Sequence, residues 1–240
     1  MQLFIITGTS QGLGLSLAER ALKERFHVIS IGRKCPVENE NHIFIQHDLS
    51  SPDQLVEKFN TALNKLKEKN FTAIHLINNA AVVTPVGHIE AFNWNDISSH
   101  MHVNLLMPIY LSGLFIESTK AWECAKVIAN ISSGAAIRPI NGWSMYCTSK
   151  SGLKMFSDCL SSERSDVKIL NFNPGVMDTN MQSTIREQEE GNFSRVTEFR
   201  ELKEKNQLAP TEKVAMCLIK LLREHDQIQK NWYDIKELTT

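Results

Sequence analysis

Tyr146 stands four residues ahead of Lys150 in the run Ser144-Met145-Tyr146-Cys147-Thr148-Ser149-Lys150, and Ser133 lies thirteen residues before the tyrosine. On a helix, side chains four apart share one face. An ammonium placed there stabilises a phenolate and lowers a tyrosine pKa from its ordinary value of about 10. A phenol tuned in this way exchanges a proton with a carbonyl or alkoxide oxygen near neutral pH, the step that accompanies hydride transfer. Negative charge develops on that oxygen in the transition state, so a second donor such as the Ser133 hydroxyl lowers the barrier further. Ser132 is the neighbouring alternative, and the spacing to Tyr146 favours Ser133. Tyr-x-x-x-Lys is common by chance, so its meaning rests on the elements that would position it.

Short apolar runs at 3–7, 27–31, 43–47, 73–77, 126–131, 167–172 and 230–234 alternate with helical patterns at about 12–25, 52–67, 94–118, 146–163, 195–205 and 211–224. Strand and helix in alternation predict an α/β fold: a doubly wound parallel sheet of Rossmann type, with about seven strands and helices on both faces. No linker or composition shift divides residues 1–240, which are read as one domain. Such a sheet binds its ligand at the carboxyl ends of the strands. Thr7-Gly8 follows the first run, Asp48 the third, Asn78-Asn79 the fourth, Ser132-Ser133 the fifth and Pro174-Gly175 the sixth. Five separate motifs are thereby brought to one edge of one sheet.

The segment Thr7-Gly8-Thr9-Ser10-Gln11-Gly12-Leu13-Gly14 joins the first strand to the first helix with the spacing Gly-x-x-x-Gly-x-Gly. Gly8 permits a tight turn, Gly12 lets the backbone approach a pyrophosphate, and Gly14 lets helix and strand pack closely. Free N–H groups at the helix N-terminus then face the phosphates. The second strand ends in Ser30-Ile31-Gly32-Arg33-Lys34. It lacks the carboxylate that usually holds the ribose hydroxyls of NAD and offers two cations for a 2′-phosphate, so NADP(H) is the expected cofactor. Arg33 and Lys34 are otherwise solvated loop charges. Asp48 either accepts from the adenine amino group or caps the helix that follows at Pro52.

The bulk composition excludes several classes. Lys plus Arg is 26 and Asp plus Glu is 27, a net charge of −1 that gives no sign of a nucleic-acid partner. No apolar run approaches a membrane span, and the opening residues 1–6 read as a strand and not a signal peptide. Five cysteines without a Cys-x-x-Cys pair favour reduced thiols and a cytoplasmic location. Among eight histidines none has metal-ligand spacing; His100 and His102, two apart, point to different helix faces and read as ordinary helix residues. Gly142-Trp143-Ser144-Met145-Tyr146 half-matches a nucleophile elbow, but its last glycine is missing.

Taken together, Thr7-Gly8-x-x-x-Gly12-x-Gly14, Asn78-Asn79-Ala80-Ala81, Asn104, Ser133, Tyr146, Lys150 and Pro174-Gly175 resemble the short-chain dehydrogenase/reductase family over essentially the whole chain. The resemblance implies that Ser133 orients the carbonyl and Tyr146 is the acid/base. Lys150 holds the ribose and tunes Tyr146, and Asn104 anchors a proton-relay water. It also implies cofactor contacts from Gly8, Ser10, Gln11, Gly12, Leu13, Gly14, Arg33, Lys34, Asp48, Leu49, Asn79, Ala80, Ala81, Pro174, Gly175, Val176 and Thr179. Within that family, Ile131-Ser132-Ser133-Gly134-Ala135-Ala136 and Gly142-Trp143-Ser144-Met145-Tyr146-Cys147 resemble the branch that reduces aromatic 1,2-diketones such as benzil, and the segment from Leu170 to Gln182 resembles the branch that reduces pterin side chains.

Several departures from the pattern bear on that reading. Ala81 replaces the usual glycine, and Gln11 stands where many NADPH users carry a cation. Asn231 aligns with the carboxylate that anchors a pterin, with Asp234 close by. The expected reaction is reduction of one carbonyl of an aromatic or vicinal diketone. The alternatives are a pterin-type carbonyl reductase and a non-catalytic NADP-binding protein. An apolar pocket is expected with Trp143, Met145, Val176 and Met177 as walls or, equally, as core. Residues 181–207 are polar, with Gly191 as a hinge, and are expected to form a mobile lid. Family members commonly pair through the helices at 94–118 and 146–163, so a homodimer or homotetramer is implied.

Overall fold

The computed structural model describes residues 1–238. One seven-stranded sheet, parallel throughout, has the order β3-β2-β1-β4-β5-β6-β7. Its strands are β1 (Gln2–Thr7), β2 (His27–Gly32), β3 (His42–Gln46), β4 (Ala73–Asn78), β5 (Ala125–Ile131), β6 (Lys168–Asn173) and β7 (Trp232–Asp234). Every residue of β1, β2 and β4 is buried, as continuous apolar strands covered on both faces must be. Side chains alternate between two cores: Phe4 and Ile6 join one, Leu3 and Ile5 the other.

The first core is closed by α1 (Gly12–Lys23) and α8 (Thr211–Arg223), whose apolar stripes supply Leu17, Ala21, Val214 and Leu218. The second is closed by α2 (Leu55–Asn64) and α4 (Met107–Ser118) through Leu55, Phe59, Leu111 and Phe115. The expected single helix at 94–118 is two α-helices, α3 (Trp94–Met101) and α4, joined by a π turn His102–Leu106. α5 (Ser144–Glu163) follows β5. Two short helices were not expected: α6 (Asn180–Arg186) and α9 (Ile235–Leu238), with α7 (Val196–Glu204) between them as expected. The order of strands reverses between β1 and β4, and a crevice at their carboxyl ends is the geometric consequence. No helix among the described residues is long and apolar enough to cross a membrane.

At the opposite, amino end of the sheet, His75 is buried in β4. Its ring stacks on Phe4 at 4.5 Å, and Nε2 meets Gln2 Oε1 at 3.1 Å. Burial pushes its pKa down to about 3, with the neighbouring His225 adding to the effect. Between about 6.5 and 3 the unfolded chain therefore binds a proton that the folded chain refuses, so stability is lost as pH falls through that window. Lowering the pH from 6.5 to 5 should cost about 1.5 kcal/mol through this residue. Urea unfolding of wild type and His75→Gln across that range checks it: the variant should show the shallower pH dependence, and equal slopes would contradict the assignment.

Candidate active site

A cleft of about 1930 Å³ runs along the carboxyl ends of the strands, from the β1–α1 loop past β4 and β5 to α6 and α7. At its floor Lys150 is buried, and its Nζ donates to the carbonyl of Ile131, the last residue of β5, at 2.7 Å. Tyr146, one helical turn earlier, is also buried, and the ammonium lies 5.7 Å from its ring centroid. Ser133 Oγ accepts from Ala135 N at 3.2 Å, which leaves its O–H as a donor toward the cleft it lines.

The titration of the pair departs from expectation. Burial pushes the Tyr146 phenol up to about 12, against a smaller pull down from hydrogen bonding to Ser133. Burial likewise brings Lys150 down to about 8. Lys150 is thus the expected neighbour, but burial dominates the titration of both groups. A phenol this high is protonated throughout the physiological range, the form in which it donates a proton.

The cofactor end is built by the glycine loop. Gly8 and Gly12 have φ of +74° and +58°, and a Cβ on Gly8 would stand 3.0 Å from Ala80. Thr7 Oγ1 accepts from the N–H groups of Asn79 and Ala80 at 2.9 and 3.0 Å, while Asn79 Nδ2 donates to the carbonyls of Thr7 and Gly8. These bonds lash β4 to the loop. α1 starts beside the cleft with no side-chain cap and no acidic residue in its first turn, which suits it to an anion. Ser10, Gln11, Leu13, Arg33, Lys34, Asp48, Leu49, Ala80, Ala81, Pro174, Gly175, Val176 and Thr179 also line the cleft. Asp48 Oδ1 takes bonds from Ser50 N and Oγ, and these hold its pKa low, with Arg33 adding to the effect. Asp48 does not cap the following helix, which starts at Leu55 behind Gln54; its bonds close a local turn at Ser50 instead. Thr179 Oγ1 accepts from Gln182 N and starts α6.

Four expected site residues stand elsewhere. Gly14 does not line the cleft: a Cβ on it would lie 2.1 Å from the Gly8 carbonyl oxygen and 2.5 Å from Asn79 Nδ2, so it supports the loop from behind. Met145 is buried on α5 away from the cleft, because one residue before Tyr146 faces another side of the helix. Asn104 is buried in the π turn, with Oδ1 accepting from Val82 N at 2.8 Å and Nδ2 donating to Val82 O at 2.7 Å. Its side chain is committed to protein partners and stands behind the cleft wall. Asn231 lies at the start of β7 and binds Asp158, whereas Asp234, at the carboxyl end of that strand, lines the cleft. Of the two residues, Asp234 is therefore the one at the cleft.

Trp143 and Met177 do line the cleft. Trp143 stacks on Phe193 at 4.7 Å and meets Tyr146 edge-on at 5.3 Å. Phe193, Val196, Phe199 and Ile185 bring α6, α7 and their connection onto this cluster, so the segment expected as a lid is docked through an apolar face. Sequence reasoning missed His100, which is buried, lines the cleft and stands edge-on to Tyr146 at 6.3 Å. The signal was its place four residues before Asn104, on the same helix face, and not its spacing to His102. Cys35 was missed too: it lines the cofactor end, 3.5 Å from Thr9 Oγ1 and 3.8 Å from His42 Nε2.

Residues 2–190 match the family model for short chain dehydrogenase. Benzil reductase ((S)-benzoin forming) of Bacillus cereus is 41% identical over 238 residues, covering 94% of this chain and 96% of that protein. Sepiapterin reductase of Bos taurus is 24% identical over 239 residues, covering 92% and 89%. A solved short chain dehydrogenase/reductase of Saccharomyces cerevisiae superposes with a TM-score of 0.83 at 23% identity, over 98% and 96% of the two chains.

The Gly14 contact yields a direct test. Gly14→Ala forces a methyl into a backbone oxygen, and overpacking of that kind typically costs about 1–3 kcal/mol. A thermal melt should show a Tm several degrees lower, with loss of nucleotide binding. An unchanged Tm would mean that the helix and loop are not in contact as described.

Proposed function

The chain belongs to the short chain dehydrogenase family, and from that premise we propose that it reduces one carbonyl of an aromatic 1,2-diketone of the benzil type with NADPH. Its family and its benzil-reducing relatives make it an oxidoreductase of carbonyl and hydroxyl groups that uses a nicotinamide cofactor. The observation that carries the finer reading is the aromatic wall beside Tyr146: Trp143 and Phe199 line the substrate end of the cleft, with Phe193 buried behind them and stacked on Trp143. Flat aryl groups gain from such a wall by burial and by offset or edge contacts.

A bound nicotinamide supplies the hydride. Ser133 and Tyr146 offer O–H donors to the carbonyl oxygen, where charge builds as the bond forms. Tyr146, protonated with its pKa at about 12, passes its proton to the new alkoxide. Lys150 stands beneath it on the Ile131 carbonyl and serves as the cation beside the vacated phenolate. The glycine loop and the uncapped start of α1 fit the pyrophosphate. Arg33 and Lys34, exposed at the end of β2, favour NADPH over NADH.

A second reading has its own support. Asp234 lines the cleft with Oδ2 held by Asn173 Nδ2 at 2.7 Å, so a carboxylate is present for the guanidine-like edge of a pterin. Exposed Leu106 at the end of the π turn, Tyr110 on α4 and Met155 on α5 favour association with a second copy through these elements.

Initial rates with benzil and with sepiapterin, each with NADPH and NADH, test the reading. Benzil should be the better substrate, and NADPH should be preferred by roughly 10-fold or more, the scale of one charge-assisted phosphate contact. Arg33→Ala should narrow that preference. Faster reduction of sepiapterin would select the pterin reading. Tight NADPH binding without reduction across a broad ketone panel would instead identify a nucleotide-binding protein.

A further inference from the structure

We propose that His100 is a positioning residue for Tyr146, clamping α5 and the π turn to the loop that lines the substrate end of the cleft. The inference rests on the reading of Tyr146 as the proton donor. His100 Nδ1 lies 2.7 Å from the Thr84 carbonyl and therefore carries the hydrogen. The ring's burial lowers its pKa, with Lys150 adding to the effect, so it is neutral at pH 7 and Nε2 is an acceptor. Asn104 Nδ2 meets that atom as a donor at 3.0 Å, and Ser149 Oγ lies at the same distance from it.

The amide partner is not free to exchange roles. Asn104 is fixed by its two bonds to the Val82 peptide, which decide which end of its amide faces His100. Ser149 precedes Lys150 directly, and its hydroxyl is within donating distance of the Tyr146 carbonyl at 3.0 Å, so its one hydrogen serves either that oxygen or His100 Nε2. One imidazole thus joins three elements: the β4–α3 loop at Thr84, the π turn at Asn104 and the catalytic helix at Ser149. Its ring edge meets the Tyr146 ring at 6.3 Å. Val82, Val83, Thr84, Pro85 and Val86 of the clamped loop line the cleft, so the clamp sets the distance between the phenol and the substrate wall. Misplacing a catalytic group by about 1 Å costs about 10²-fold in rate. A hydrophobic residue at 100 would fill the space without holding any of the three.

The test compares His100→Leu, His100→Gln and Ser149→Ala with wild type, using whichever ketone the wild type reduces. The readouts are kcat, NADPH dissociation constant and Tm. His100→Leu should lower kcat roughly 10- to 100-fold while NADPH affinity stays within about twofold. Glutamine retains an acceptor and a donor and should restore kcat to within about threefold of wild type. Ser149→Ala, which leaves the α3 core intact, should lower kcat a few-fold and serves as the deciding variant if His100→Leu fails to fold. Unchanged kcat in Ser149→Ala and His100→Leu would overturn the proposal. So would a kcat loss that tracks Tm and is not relieved by glutamine, which is the mark of a merely structural residue. A wild type that reduces no ketone defeats the functional reading itself, and a different result distinguishes the two failures: an active wild type with indifferent His100 variants.

Discussion

The ammonium of Lys150 is buried, and its anchor is the carbonyl at the end of β5. A buried cation is costly unless it is satisfied, so this bond constrains everything around it. β5 must end at Ile131 to present that oxygen, and α5 must cross back over the strand end to bring Lys150 to it. Ser133 follows two residues after Ile131, and Tyr146 sits one turn ahead of Lys150 on the same helix face. One strand terminus thereby locates the base of the ammonium, the serine and the phenol. Because both ring and ammonium are out of water, the phenol is high and the amine low, which leaves Tyr146 a proton donor at rest.

The strand ends that carry these groups are held by a chain of buried amides. Asn78 in β4 donates to Asn130 in β5 at 2.8 Å, Asn130 donates to Ser157 of α5 at 2.8 Å, and Ser157 reaches Asn171 in β6 at 3.0 Å. Ser157 thus ties the catalytic helix to the two strands on which it lies. Buried polar networks of this kind fix register, because slipping a strand would strand several donors and acceptors at once. The substrate end is closed differently, by Trp143, Phe193 and Phe199 packing α6 and α7 onto the start of α5.

Much of this was legible in the sequence. Every strand lies within two residues of its apolar run, since strands buried on both faces leave an unmistakable pattern. The glycine loop and the Tyr146–Lys150 pair were legible because each requires residue types at fixed local spacing. What stayed hidden depends on tertiary packing. The phenol's direction of shift follows from desolvation, which no spacing records. α6 is too short and polar to announce itself. Asn231 precedes and Asp234 ends the three-residue strand β7, and only the residue at its carboxyl end reaches the cleft. His100 was misjudged because its partners, Thr84 and Ser149, come from other elements.

The central claim is that Tyr146 delivers the proton while the rest of the cleft binds cofactor and carbonyl. A single-turnover measurement of NADPH oxidation in wild type and Tyr146→Phe, with cofactor binding followed separately, addresses it most directly. The phenyl ring keeps the edge contacts to Trp143 and His100, so NADPH affinity should remain within about threefold while the transfer rate falls about 10²–10⁴-fold. A variant that keeps a tenth or more of the wild-type rate would contradict the account, as would a rate loss explained by lost cofactor binding.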